Sequence, residues 1–152
     1  MKIIILGVGN PILGDDGVGI HIANELKQHI SDPNIKIDEA LTGGMNLLDM
    51  IVGYDKAILI DAVKVDSGDE GEVKRIVLSD FATMHSSNPH DVSLNEAIEM
   101  AEKLGEYEIP KEIIVIGITM RELPTEFSEE LSNKIATAVP KAVEMTLNEI
   151  KK

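Results

Sequence analysis

Three apolar runs, Ile3–Leu6, Ala57–Ile60 and Ile113–Ile118, most constrain what this chain can fold into. A strand with one wet face alternates apolar and polar residues. A run that is apolar at every position is buried on both faces, as in the centre of a parallel sheet covered by helices. The segments between the runs have helical periodicity. Val18, Ile22, Leu26 and Ile30 recur at intervals of four, Leu47, Leu48 and Ile51 form a shorter stripe, and Leu94, Ala97, Ile98, Ala101 and Leu104 a third. A long terminal helix follows, with Leu131, Ile135, Val139, Ala142, Val143, Leu147 and Ile150 on one face. Pro140 lies inside it, lacks the donor to residue 136, and is expected to kink it. Alternating strands and helices define an α/β protein with helical layers on both sides of a mostly parallel sheet.

Two further strands have edge character. Ile35 and Ile37 alternate with Lys36 and Asp38, and Val73 to Leu78 is broken by Lys74 and Arg75. The connection from Asp61 to Val73 has no helical pattern and is too short for a parallel crossover, so that last strand is expected to be antiparallel. The reading is one domain over residues 1–152: a three-layer α/β/α sandwich on a five-stranded sheet with one antiparallel strand.

Composition narrows the function classes. A net charge of −13 argues against nucleic acid and anionic membrane surfaces, both of which select for Lys and Arg. The absence of cysteine excludes disulfides, thiolate metal sites and a cysteine nucleophile. No stretch approaches the ~20 apolar residues of a membrane span, and no signal peptide is visible, so the expected location is the cytoplasm. The acidic turn Asp66–Gly71 lacks the ligand spacing of a calcium loop and reads as solvated.

The first strand runs into Gly7-Val-Gly9-Asn10-Pro11 and then Gly14-Asp15-Asp16-Gly17 before a helix opens at Val18. Ligands of open α/β sheets bind at the carboxyl ends of the strands, where this loop falls. It is not a dinucleotide fingerprint, because the third glycine is missing and two carboxylates would sit close to the pyrophosphate. One aspartate can cap the following helix. The second then has no structural role to fill.

Asp61 ends the second central run, so it either bonds neighbouring backbone or faces a site at the ligand end. His90, in Pro89-His90-Asp91, lies at the entrance of a helix capped by Asn88 or by Ser93 with Glu96. His85 is a weaker candidate. Asp16, Asp61 and His90 come from separate segments at strand ends or helix starts. Two carboxylates and an imidazole with open positions suit a divalent transition metal, though neither a zinc-protease motif nor a nucleophile elbow is present. The residues alone reach a metal-responsive α/β protein and leave its reaction open.

The opening motif, with Thr42-x-Gly44-Met45, Leu59-Ile-Asp61-Ala62, Pro89-His90-Asp91 and the proline of the last helix, resembles the hydrogenase maturation endopeptidases along nearly the whole chain. That resemblance implies a phosphorylase/hydrolase-like fold. It also implies an enzyme that removes a C-terminal extension from the precursor of a nickel–iron hydrogenase large subunit after nickel insertion. Carried over by position, Asp16, Asp61 and His90 would be catalytic and would read the nickel that the substrate brings. The enzyme is expected to act as a monomer. The alternatives are a non-catalytic metal sensor or chaperone using the same triad and, third, a dinucleotide-binding protein. One departure stands out. The family commonly has Asp-Gly-Gly-Thr where this chain has Glu39-Ala40-Leu41-Thr42, and losing both glycines narrows the backbone conformations there.

Overall fold

The computed structural model describes residues 1–41, 45–77, 98–105, 108–122, 124 and 126–152, with backbone only at 45 and 46. The strands are β1 (Ile3–Val8), β2 (Ile35–Ala40), β3 (Lys56–Lys64), β4 (Val73–Val77) and β5 (Glu112–Met120). The helices are α1 (Val18–Leu26), α2 (Met45–Ile51), α3 (residues 98–104) and α4 (Asn133–Ile150), and a 3-10 turn, Gly14–Gly17, precedes α1. Among the described residues no helix is long and apolar enough to cross a membrane.

The sheet has five strands in the order β2-β1-β3-β5-β4. The three apolar runs form the three inner strands, and the two strands with edge character form the edges. β1 pairs in parallel with β2 and β3, β3 pairs in parallel with β5, and β4 pairs antiparallel with β5. β5 thus inserts between β3 and β4, which are consecutive in sequence. The link from β3 to β4 is pinned to β5 by Thr119, a buried residue whose hydroxyl donates to the Asp69 carbonyl (2.7 Å) and accepts from the Glu72 amide (3.0 Å).

Alternation along the inner strands sends side chains to two cores. One joins Ile4, Leu6, Leu59 and Val115 to Leu47, Leu48 and Ile51 of α2 and to Ile98 and Ala101 of α3. The other joins Ile5, Ile58, Ile60 and Ile116 to Val18, Ile22 and Leu26 of α1 and to Ile135, Ala138 and Ala142 of α4. These are the layers of an α/β/α sandwich.

Two helical faces differ from the expected stripes. Leu104 is exposed, because it lies roughly 120° around the helix from buried Ile98. On α4 the buried line runs through Ile135, Ala138, Ala142, Val143, Thr146 and Glu149, whereas Val139, Leu147 and Ile150 are only half-buried. The apolar pattern missed Thr146 and Glu149 because both are polar. Thr146 Oγ1 donates to the Ala142 carbonyl at 2.8 Å, which satisfies it within the helix.

Glu149 is satisfied across the fold. It is 1% exposed and faces Lys56, 3% exposed at the start of β3, with Oε1 2.9 Å from Nζ. Arg75 of β4 forks onto it, Nε to Oε2 at 2.7 Å and Nη2 to Oε1 at 3.0 Å. Lys56 Nζ also meets Glu112 Oε1 at 2.8 Å and donates to the Glu149 carbonyl at 3.1 Å. Hydrogen bonding from Arg75, reinforced by Lys56, outweighs burial and lowers the Glu149 pKa from its ordinary 4.5 to about 2. Burial alone would push Lys56 down; its bonds to Glu112 and Glu149 reverse the sign and raise it. This cluster ties the end of α4 to the amino-terminal end of the sheet.

Candidate active site at the carboxyl end of the sheet

The glycines of the opening motif permit close approach. Gly9 has φ +144°, and a Cβ there would overlap the carbonyl oxygen of Asp16. A Cβ on Gly19 would overlap the carbonyl oxygen of Ile60 and crowd that of Val8 at 2.7 Å. The start of α1 therefore lies directly on the carboxyl ends of β1 and β3. The turn that bears Asp16 is set down beside the strand that continues into Asp61.

Asp16 is half-buried. Its Oδ2 accepts a hydrogen bond from the Asn10 amide at 2.9 Å, and Asn10 Oδ1 in turn accepts from the Ile12 amide at 3.1 Å. One carboxylate oxygen is thereby fixed. The other, Oδ1, has no hydrogen-bond partner among the described residues.

Neither aspartate caps α1, whose start at Gly17 receives no side-chain bond, contrary to the sequence expectation. Asp15 turns instead to the far end of the chain. Its Oδ1 accepts from the Ser132 amide at 2.7 Å and its Oδ2 from the Ser132 hydroxyl at 2.8 Å, at the entrance of α4. A run of loop bonds completes this tie: Gly14 N donates to Ser128 O at 2.7 Å and Ser128 N to Ile12 O at 2.8 Å. Asp15 is thus structural and points elsewhere from Asp16. Nothing local in the sequence could reveal its partner.

Asp61 is 4% exposed and pairs in register with Gly117 of β5. Strand alternation puts its side chain on the face of Leu59 and Val63, toward the layer of α2 and α3. Asp16 and Asp61 therefore share the carboxyl end of the sheet. His90 and His85 lie outside the described residues, as do the helix entrance around Asn88 and Ser93 and the loop from Thr42 to Gly44. Among the described residues no group of three His, Cys, Asp or Glu side chains could hold a metal ion.

The fold and this end of the sheet define an α/β/α protein with one aspartate, Asp16, carried by a glycine-built loop and another, Asp61, carried by an inner strand. Residues 20–149 match the sequence profile of the hydrogenase maturation proteases, and the chain belongs to that family. A provisionally named hydrogenase maturation protease of Methanocaldococcus jannaschii is 31% identical over 99% of this chain and 97% of its own. The hydrogenase 2 maturation protease of Escherichia coli is 27% identical over 78% of this chain and 73% of its own. In structure, the hydrogenase maturating endopeptidase HybD of E. coli superposes with a TM-score of 0.85 at 26% identity, covering 99% of this chain and 93% of that one. Membership makes this protein a hydrogenase maturation protease.

Proposed function

We propose that the protein, acting as one domain, removes a C-terminal extension from the precursor of a nickel–iron hydrogenase large subunit. In this reading it recognises the substrate's nickel through Asp16, Asp61 and His90, and acts in the cytoplasm as a monomer. The observation that carries the reading is the treatment of Asp16. A backbone amide holds its Oδ2 while Oδ1 has no partner among the described residues, toward the carboxyl end of the sheet where Asp61 is also buried. A carboxylate with one oxygen fixed and one free is suited to ligate a cation or to take a proton from water. Nickel is here part of the substrate, and when bound it supplies a Lewis acid.

Two carboxylates and an imidazole with open positions suit a divalent transition metal. Hydrolysis at an aspartate-lined site in a chain without cysteine proceeds by attack of water rather than through a thioester.

The test is to incubate the protein with a tail-bearing large-subunit precursor, nickel-loaded or nickel-free, and to measure product mass. The expected result is loss of the tail from the loaded form alone, and none with Asp16→Asn, Asp61→Asn or His90→Ala. Equal cleavage of the nickel-free precursor, or normal cleavage by all three variants, would overturn the metal-reading part. An intact precursor with wild-type protein would overturn the substrate.

A further inference from the structure

Phe127 is one of two phenylalanines in the chain and is 81% exposed, while Ile12 is 46% exposed. The two are neighbours. Leu13 and Ser128 form an isolated parallel bridge, so Ile12 and Phe127, each one residue earlier, lie side by side across it. This is not a loose tip. Ser128 N donates to Ile12 O and Gly14 N to Ser128 O, and Ser132 is held by Asp15. The apolar pair is thus fastened to the very loop that carries Asp16. Single exposed apolar side chains are common, but an aromatic clamped in an exposed position beside a site has the character of an interface anchor. Its neighbours Glu126, Glu129 and Glu130 are all exposed, which gives the pair an anionic rim.

We propose that Ile12 and Phe127 are a docking anchor for the protein substrate, seated in an apolar pocket of the precursor ringed by Lys or Arg. The inference rests on the proposed substrate and deepens it. A folded precursor that offers a peptide bond to Asp16 must lie against the loop that presents this pair. Charge complementarity selects the kind of surface: acidic residues around an apolar centre ask for a basic rim on the partner.

The experiment measures equilibrium binding of nickel-loaded precursor to wild-type protein, Phe127→Ala, Phe127→Leu, and a variant with Glu126, Glu129 and Glu130 all changed to Gln. Thermal melts check folding, and sedimentation gives the oligomeric state. The expected result is a Kd raised about tenfold or more by Phe127→Ala, with unchanged melting and substantial recovery in Phe127→Leu. The triple Gln variant should bind more weakly and with a shallower salt dependence. Wild-type affinity in Phe127→Ala would overturn the anchor while leaving the proposed substrate intact. A wild-type dimer that Phe127→Ala dissolves without loss of precursor affinity would assign the pair to a second copy and overturn it too. Failure of wild-type protein both to bind and to cleave would overturn the substrate and the anchor together.

Discussion

Strand β3 carries two buried ionisable side chains, Lys56 at its start and Asp61 three residues before its end, and their surroundings differ. Lys56, at the amino end, is enclosed by Glu149 and Glu112, with Arg75 bracing Glu149 from β4. Toward the carboxyl end, Asp61 is buried on the face of α2 and α3, and the loop after β1 brings Asp16, whose Oδ2 accepts from the Asn10 amide. The amino end holds the fold closed through ion pairs, whereas the carboxyl end is where the proposed function places the substrate. One strand serves both purposes because ligand sites of α/β sheets gather at the carboxyl ends and leave the other end free for structural ion pairs.

The largest expected effect separates the two ends by activity. Asp61→Asn should lower precursor processing by more than about a hundredfold, because it removes the anion but keeps size and hydrogen-bonding capacity. Its melting temperature should move little. A gel assay of precursor shortening beside a thermal melt checks both, and normal processing would remove Asp61 from the site.

Glu149→Ala should do the reverse. Removing the Glu149 carboxylate leaves buried Lys56 with Glu112 as its remaining anionic partner and frees Arg75, and should cost about 3 kcal/mol, read from urea unfolding. The folded fraction should still process precursor at the normal rate, since the cluster sits at the opposite end of the sheet. A variant that keeps full stability would mean that the cluster contributes no net stability.

The pH dependence sharpens the same contrast. Glu149 has a folded pKa of about 2 against an ordinary 4.5, so its contribution is fully present above about 4.5 and is lost as pH falls toward 2. Urea midpoints of the wild type should fall across that window, and Glu149→Gln should flatten the fall. Parallel curves for the two proteins would refute the assignment.

The smallest effect divides the adjacent aspartates. Asp15→Ala removes the bonds to Ser132 at the start of α4 and should cost about 1 kcal/mol, the usual worth of a helix-entrance bond. Nickel-dependent processing should survive it at close to the normal rate at low temperature, whereas Asp16→Asn should abolish it. Equal loss in both variants would show that Asp15 also belongs to the site.

Much of the architecture was legible because burial leaves a local mark. Ile3–Leu6, Ala57–Ile60 and Ile113–Ile118 had to be inner strands, since residues buried on both faces are apolar at every position. The half-polar segments at Ile35 and Val73 had to be edges, and the short helix-free link fixed the direction of β4. Asp16 was expected in the loop after the first strand and lies there, whereas Asp61, expected to end the second inner run, lies inside β3, which continues to Lys64 because Ala62 and Val63 are also buried.

Other features were decided only by tertiary structure, because they depend on partners remote in sequence. Asp15 and Asp16 look alike in a glycine loop, yet one bonds Ser132 and the other Asn10. Glu149 reads as a surface residue of an amphipathic helix until Lys56 and Arg75 come round to meet it. β5 enters between two strands that precede it in the chain. Periodicity reports whether a position is buried in an apolar environment. It carries no information about which distant group satisfies a buried polar one, and that choice is made when the chain closes.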